Sequence, residues 1–362
     1  MDGTTVLLGA GASKEAGMPL ATELAATLLE YFTFRRGWQF DDDTARLFDL
    51  VHRGLTISGP VDIERLFSSL MILADPNERI DFAPFIEAWN DDLFRLADKP
   101  GPSWAPASTI TRVIWGITDA LSEILRPRSE LLAYLAPLVR QEGARIATLN
   151  YDLSIEEACR LGSIQCTTGA NLWKGDLGRW AWPSATSVKL LKMHGSLDWF
   201  PKDPGWDDTR KLARGIEQLE ELIHDPSHPS LGKTAIIFGR REKLQPRGPF
   251  PSLLQAWRSW LGATRKLVVV GYSFSDDHIN ESIREWLSSP VARTLTIVDP
   301  SLVTPLRLHP NRFVQELTLV TDRDIRVLPQ KTGEALIGVF GGVLAWPTPS
   351  TDRWGIPISG SA

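Results

Sequence analysis

The sequence predicts an α/β protein: a doubly wound parallel sheet interrupted by a large helical insertion. Three observations predict it. Short apolar runs recur along the chain, and most end in glycine, asparagine, histidine or aspartate. Helical periodicities fall between several of these runs. One long stretch, residues 37–142, carries helical signals almost alone. Strands buried on both faces under alternating helices read as continuous apolar runs, because neither side meets water.

The elements follow in order. Thr4–Leu8 reads as a buried strand ending in Gly9-Ala10-Gly11-Ala12-Ser13. Leu20, Leu24, Leu28 and Phe32, at spacing four, predict a helix after Pro19. Within the insertion, Ile63, Leu66, Phe67 and Leu70 form one apolar face, and Ile110, Val113, Ile117 and Leu121 form another. Strands resume at Arg145–Leu149, Val188–Met193, Thr234–Phe238, Lys266–Val270 and Thr294–Val298. Ile279, Ile283, Trp286 and Leu287 mark a helix between the last two. Another helix is expected near Leu212, Ile216, Leu219 and Ile223. Asp41-Asp42-Asp43 reads as a solvated face or a helix start, and Asp276-Asp277-His278 as a capping segment.

These elements make the fold Rossmann-like and set the expected layout. Residues 1–36 hold the first part of a Rossmann-like domain, and 37–142 the helical insertion. Residues 143–345 hold the remainder, with a small insertion near 203–233. The Pro/Ser/Gly-rich residues 346–362 read as a flexible tail.

Composition narrows the function. Hydrophobic residues are 43% and charged residues 23%, which is globular usage. The net charge of −5 gives no bulk attraction for nucleic acid or an anionic membrane, so direct nucleic-acid binding is not expected. Two cysteines, Cys159 and Cys166, support neither a disulfide framework nor a four-thiolate zinc site, so a reducing cytoplasmic setting and no metal are expected. The apolar run Ala335–Trp346 is shorter than the roughly 18 residues a membrane span needs. No secretion signal is visible at Met1. Fourteen tryptophans imply either aromatic burial or an exposed surface, a choice the sequence leaves open.

The strand ends carry the chemistry, because ligands of open α/β sheets bind beyond the carboxyl ends of the strands. Gly9 and Gly11 permit a tight turn whose following amides can hold a pyrophosphate. A complete dinucleotide fingerprint is absent: Lys14 stands where its third glycine would be, and no acid-ended second strand follows. This counts against a dehydrogenase. Asn150 and Asp152 can each be turn or capping residues, and His194 a buried histidine. Together at one sheet edge they read as functional.

At these residues the chain resembles the sirtuin-like family. Gly9-Ala10-Gly11-Ala12-Ser13 with Gly17-Met18-Pro19 is similar to its first NAD-binding segment. Asn150-Tyr151-Asp152 resembles its Asn-x-Asp segment, and His194-Gly195 its catalytic His-Gly segment. Gly271-Tyr272-Ser273 and Asp299 resemble its later phosphate- and ribose-binding strand ends. The helical insertion looks like the divergent branch of bacterial antiviral systems, whose members hydrolyse NAD. Leu20-Ala21-Thr22 stands where deacylases usually have Asp-Phe-Arg, and two cysteines cannot build their zinc ribbon.

The resemblance implies NAD as substrate, cleaved to nicotinamide and ADP-ribose. Asn150 would orient the ribose and water, and His194 would be the general base. Gly9, Ala10, Gly11, Ala12, Ser13 and Pro19 would hold the dinucleotide with Gly271, Tyr272 and Ser273. Asp299 would take the adenosine ribose, and Asp152 would support Asn150. The activity would be gated, in a homo-oligomer or with a HerA-type ATPase partner, as an anti-phage effector. The alternatives are a non-catalytic NAD or ADP-ribose sensor and an NAD-dependent deacylase.

Overall fold

In the computed structural model, the described residues are 3–37, 39–75, 91–104, 106–175, 178–184, 186–202, 215–218, 236, 248–303, 306–309, 311–319 and 324–342. Seven strands form one parallel sheet: β1 (Thr4–Leu8), β2 (Ala144–Thr148), β3 (Cys166–Thr167), β4 (Val188–Lys192), β7 (Lys266–Val270), β8 (Thr294–Val298) and β9 (Asp324–Leu328). Their spatial order is β3-β4-β2-β1-β7-β8-β9. The short strands β5 (Trp199–Pro201) and β6 (Ile216–Gln218) make a separate antiparallel pair. The fold is therefore the expected Rossmann-like α/β sheet.

Side-chain alternation divides the core between the two faces. On β1, Val6 and Leu8 face one cluster while Leu7 faces the other; on β7, Val268 and Val270 oppose Leu267 and Val269 in the same way. Each residue of these pairs is nearly sealed from water, which is why the runs read as uninterrupted apolar sequence.

Between β1 and β2 the described regular elements are helical. Helices α1 (Ala21–Phe34), α2 (Asp42–Thr56) and α3 (Ile63–Ala74) pack with Thr109–Ile124, and their apolar faces share one core with Val6 and Leu8. Phe32 stacks on Phe48 at 4.5 Å between ring centroids, a pairing worth about 0.5–1.5 kcal/mol beyond burial. Asp41 caps α2, so of the two readings of the acidic run the helix start holds, and its carboxylate also pairs with the buried Arg112 guanidinium.

Among the described residues, most tryptophans enter the opposite face. Trp173, Trp199 and Trp257 are fully enclosed, and Trp180 joins Trp173 to Trp199, whereas Trp104 is exposed. The helix expected around Ile216 is corrected: Ile216–Gln218 is a strand, paired with Trp199–Pro201. The rest of the insertion near 203–233, and the tail 346–362, lie outside the described residues. So does the strand expected at 234–238, except Ile236, which bridges Gly195 antiparallel. Among the described residues no helix is long and apolar enough to cross a membrane.

Strand order creates the crevice. The chain places β2, β4 and β3 on one side of β1, then β7, β8 and β9 on the other. The carboxyl ends of β2, β1 and β7 therefore meet at a topological switch point, where open sheets bind ligands.

Candidate active site

A cavity of about 920 Å³ opens at this switch point. It is lined by Gly9, Ala10, Gly11, Ser13 and Pro19 from the β1 end, and by Asn150 and Asp152 from the β2 end. His194 follows β4, Gly271, Tyr272 and Ser273 follow β7, and Asp299 follows β8. Ala12 is the exception among the expected site residues. Its side chain is buried in the core, its N–H donates to Gly9 O and its carbonyl accepts from the Tyr134 hydroxyl. Its N–H and its carbonyl are therefore both engaged within the protein.

Asn150 is held by its amide nitrogen. Its Nδ2 donates to Gly9 O at 3.0 Å and to Ser13 Oγ at 2.9 Å. The Gly9 carbonyl can only accept, so this end must be the NH₂ and the cavity receives the carbonyl end. Asn150 Oδ1 has no partner among the described residues. Ser13 in turn donates to Asp152 Oδ2 at 3.0 Å, and Asp152 Oδ1 accepts from Ser154 N–H at 2.8 Å. Asp152 thus supports Asn150 through Ser13, and both Ser13 and Asp152 are buried.

His194 is oriented from the opposite side. Its Nε2 lies 2.9 Å from Asp276 Oδ2, and both side chains are buried. A carboxylate acceptor calls for the Nε2–H tautomer, leaving Nδ1 as the lone-pair nitrogen, which bonds no described residue. Asp276 is itself fixed: its Oδ1 accepts from His278 N–H and Ile279 N–H, capping helix Asp277–Leu287. The capping role was legible in the sequence; the contact with His194 was not.

The glycine turns work differently from the expectation. The Gly9 and Gly11 amides donate to Val270 O and Gly271 O, at 2.9 and 2.8 Å. They are committed to tying the β1 turn to the β7 strand end, Ala12 N–H is committed to Gly9 O within the β1 turn, and none of the three awaits an anion. A Cβ on Gly9 would lie 2.6 Å from Gly271 O, and one on Gly271 2.2 Å from Ala12 N. The glycines are needed because two backbones touch. The amides of Ala10 and Ser273, both on exposed residues, bond no described residue and are the donors these turns leave open.

Tyr272 lines the cavity, but its hydroxyl is engaged elsewhere. Its hydroxyl is buried, donates toward Asp276 O and Asn280 Oδ1, and accepts from Asp276 N–H. It braces the His194 partner rather than contacting a ligand through that oxygen. Burial pushes its phenol well above the ordinary range, with the Asp276 charge adding to the effect. Asp299 Oδ1 accepts from Ser301 N–H and Oγ–H, while Oδ2 has no described partner.

Behind Asp152 lies a buried charge cluster. The Lys192 side chain is fully enclosed, and its Nζ donates to Asp152 O at 2.5 Å and to Glu156 Oε1 at 2.9 Å. Glu156 Oε2 and Asp198 Oδ1 are both buried without a partner among the described residues. Burial pushes the Glu156 carboxyl up to about 7, against the pull of the Lys192 ammonium. Among the described residues no group of three or more His, Cys, Asp or Glu is arranged to hold a metal.

Residues 144–302 match the family model described as SIR2-like domain. No curated protein sequence matches the chain. Among solved structures it is similar to the crystal structure of a Sir2 homologue–NAD complex, at 15% identity and a TM-score of 0.43, covering 93% of this chain and 87% of that one. A Sir2 homologue mutant–ADP-ribose complex is similar at 14% identity and 0.44, covering 93% and 90%. A Sir2–p53 peptide–NAD⁺ complex is similar at 13% and 0.37, covering 93% and 91%.

Proposed function

We propose that this sirtuin-like chain, whose SIR2-like domain spans residues 144–302, hydrolyses NAD at the bond between nicotinamide and ribose. The observation that carries the reading is that Asn150 and His194 line one cavity. Each is locked by its own network and turns an unpartnered acceptor atom away from that network.

The chemistry asks for little else. The nicotinamide ring is cationic in NAD and leaves neutral, so no acid is needed to protonate it. Water attacks the ribose C1′, and the C1′–N bond breaks with its electron pair passing to the ring. One water proton goes to His194 Nδ1 and is later released to solvent. The products are nicotinamide, ADP-ribose and a proton. Asn150 Oδ1 accepts from the attacking water or a ribose hydroxyl and orients it. A general base in this position contributes typically about 10²–10⁴-fold.

The rest of the cavity suits the dinucleotide. Ala10 N–H and Ser273 N–H offer donors to the diphosphate. Asp299 Oδ2 offers an acceptor to the adenosine ribose. An effector role in anti-phage defence, gated by self-association or by a HerA-type ATPase, extends the same proposal.

Incubation with NAD, with nicotinamide followed by chromatography, tests it. Wild type at increasing protein concentration should release nicotinamide, and Asn150→Ala and His194→Ala should not. Equal release by all three removes the assignment. Change at the reduced-nicotinamide absorbance band would instead indicate hydride transfer.

A further inference from the structure

We infer that Lys192 is a positioning residue for the reaction: its buried side chain ties the segment bearing Asn150 to the strand bearing His194, and so sets how the two groups stand to one another. The inference rests on the reading of the cavity as an NAD site. It adds to that site a residue buried behind the cavity wall.

The strand pattern makes the lysine unexpected. Along β4, Leu190 is buried on the face of the sheet that carries the helical insertion, while Leu191 and Met193 are buried on the other. Alternation gives Lys192 the same face as Leu190, and it is fully enclosed there. Lysine is almost never sealed from water unless it is paired, because its ammonium loses hydration. An aliphatic side chain would fill this position without that cost. Packing therefore does not explain the residue, and its hydrogen bonds do.

Those bonds join two strand ends. Lys192 stands opposite Thr148 in the β2–β4 ladder, two residues before His194. Asp152 stands two residues after Asn150. Past the ladder the two chains are still joined by Met193 N–H to Thr148 O at 2.8 Å and by Leu197 N–H to Tyr151 O at 3.1 Å. The Asp152 carbonyl is held by a side chain instead, Lys192 Nζ donating to it at 2.5 Å. Glu156 Oε1, at 2.9 Å, supplies the countercharge.

Asp152 is thereby fixed at three atoms. Its carbonyl is held by Lys192, its Oδ1 by Ser154 N–H and its Oδ2 by the Ser13 hydroxyl. Ser13 Oγ in turn accepts from Asn150 Nδ2. A continuous chain of bonds thus runs from the strand that delivers His194, through Lys192, Asp152 and Ser13, to the amide of Asn150. Lys192 touches neither the substrate nor the water, and it acts through the placement of Asn150. Displacing a reacting group by about 1 Å can cost on the order of 10²-fold in rate.

The test compares full-length wild type with Lys192→Met and with Lys192→Met/Glu156→Met. The readouts are steady-state nicotinamide release, calorimetric binding of ADP-ribose and thermal melting. Lys192→Met leaves Glu156 without its cation and should lower both the melting temperature and kcat. The double variant removes both members of the pair and should recover most of the melting temperature. Its Asp152 carbonyl still lacks the donor, so kcat should stay about 10–100-fold down, with KM and ADP-ribose binding little changed. Recovery of kcat together with the melting temperature overturns the proposal, since it shows a role in stability alone. A loss of ADP-ribose binding as large as the loss of kcat overturns it too, since the cavity itself has then changed. Wild type that releases no nicotinamide overturns the hydrolase reading and this inference with it.

Discussion

His194 Nε2 and Asp276 Oδ2 lie 2.9 Å apart, joining the end of β4 to the cap of the helix that follows β7. The carboxylate that starts a helix also sets the tautomer of the imidazole. Replacing Asp276 with Asn should leave a competent cap but present an amide that permits either tautomer. The expected outcome is a fall in kcat of about 10²-fold or more with KM little changed. Steady-state nicotinamide release beside a thermal melt checks it; a matching collapse of stability would point to a purely structural role.

Ser13 relays Asp152 to Asn150, so Ser13→Ala should loosen Asn150 and strand the Asp152 oxygen. Leaving a buried acceptor unpaired costs about 1–3 kcal/mol. Denaturant unfolding should show that loss, and kcat should fall further than the stability change explains. An unchanged kcat would refute the relay.

Gly271→Ala should be severely destabilising, because φ is +60° and the new Cβ would meet Ala12 N at 2.2 Å. Gly338 supplies the contrast: it is exposed, lies within helix Thr332–Phe340, and has nothing within 4 Å of a new Cβ. Gly338→Ala should gain roughly 0.5–1 kcal/mol. Melting temperatures of the pair give a direct reading, and tolerance of Gly271→Ala would disprove the backbone contact.

Glu156 should impose a pH dependence on stability. Its folded-state pKa, about 7, stands above the ordinary 4.5 because of burial. Its protonated form is therefore favoured by folding. That contribution is complete below the ordinary value and is lost as pH rises through about 7. Glu156→Gln should flatten the dependence of the melting temperature between pH 5 and 8. Parallel profiles for variant and wild type would reject the assignment.

Much of the sheet was legible. The run Thr4–Leu8 is a strand with those bounds, and Arg145–Leu149 is offset by one residue from Ala144–Thr148. Strand β9 was missed because Asp324-Ile325-Arg326-Val327-Leu328 sits at the sheet edge, where charged side chains face water and break the apolar run. Ile216–Gln218 was read as helix because spacing alone drove the reading, whereas its pairing with Trp199–Pro201 decides it. In the site, the strand-end residues are visible in the sequence, but a capping pattern does not show that Asp276 meets His194, and a glycine turn does not show that its amides are already bonded to the neighbouring strand end.

By itself the chain's own order of residues determined the alternation of strand and helix and the small or polar groups that end each strand. Those properties are local, since burial on both faces demands continuous apolar runs and turns demand particular residues. Only the tertiary structure decided that β1 lies between β2 and β7, that Asp276 meets His194, and that Lys192 reaches the Asp152 carbonyl. Such choices depend on which distant backbones and side chains satisfy one another's hydrogen bonds and volumes, and no stretch of chain carries that information alone.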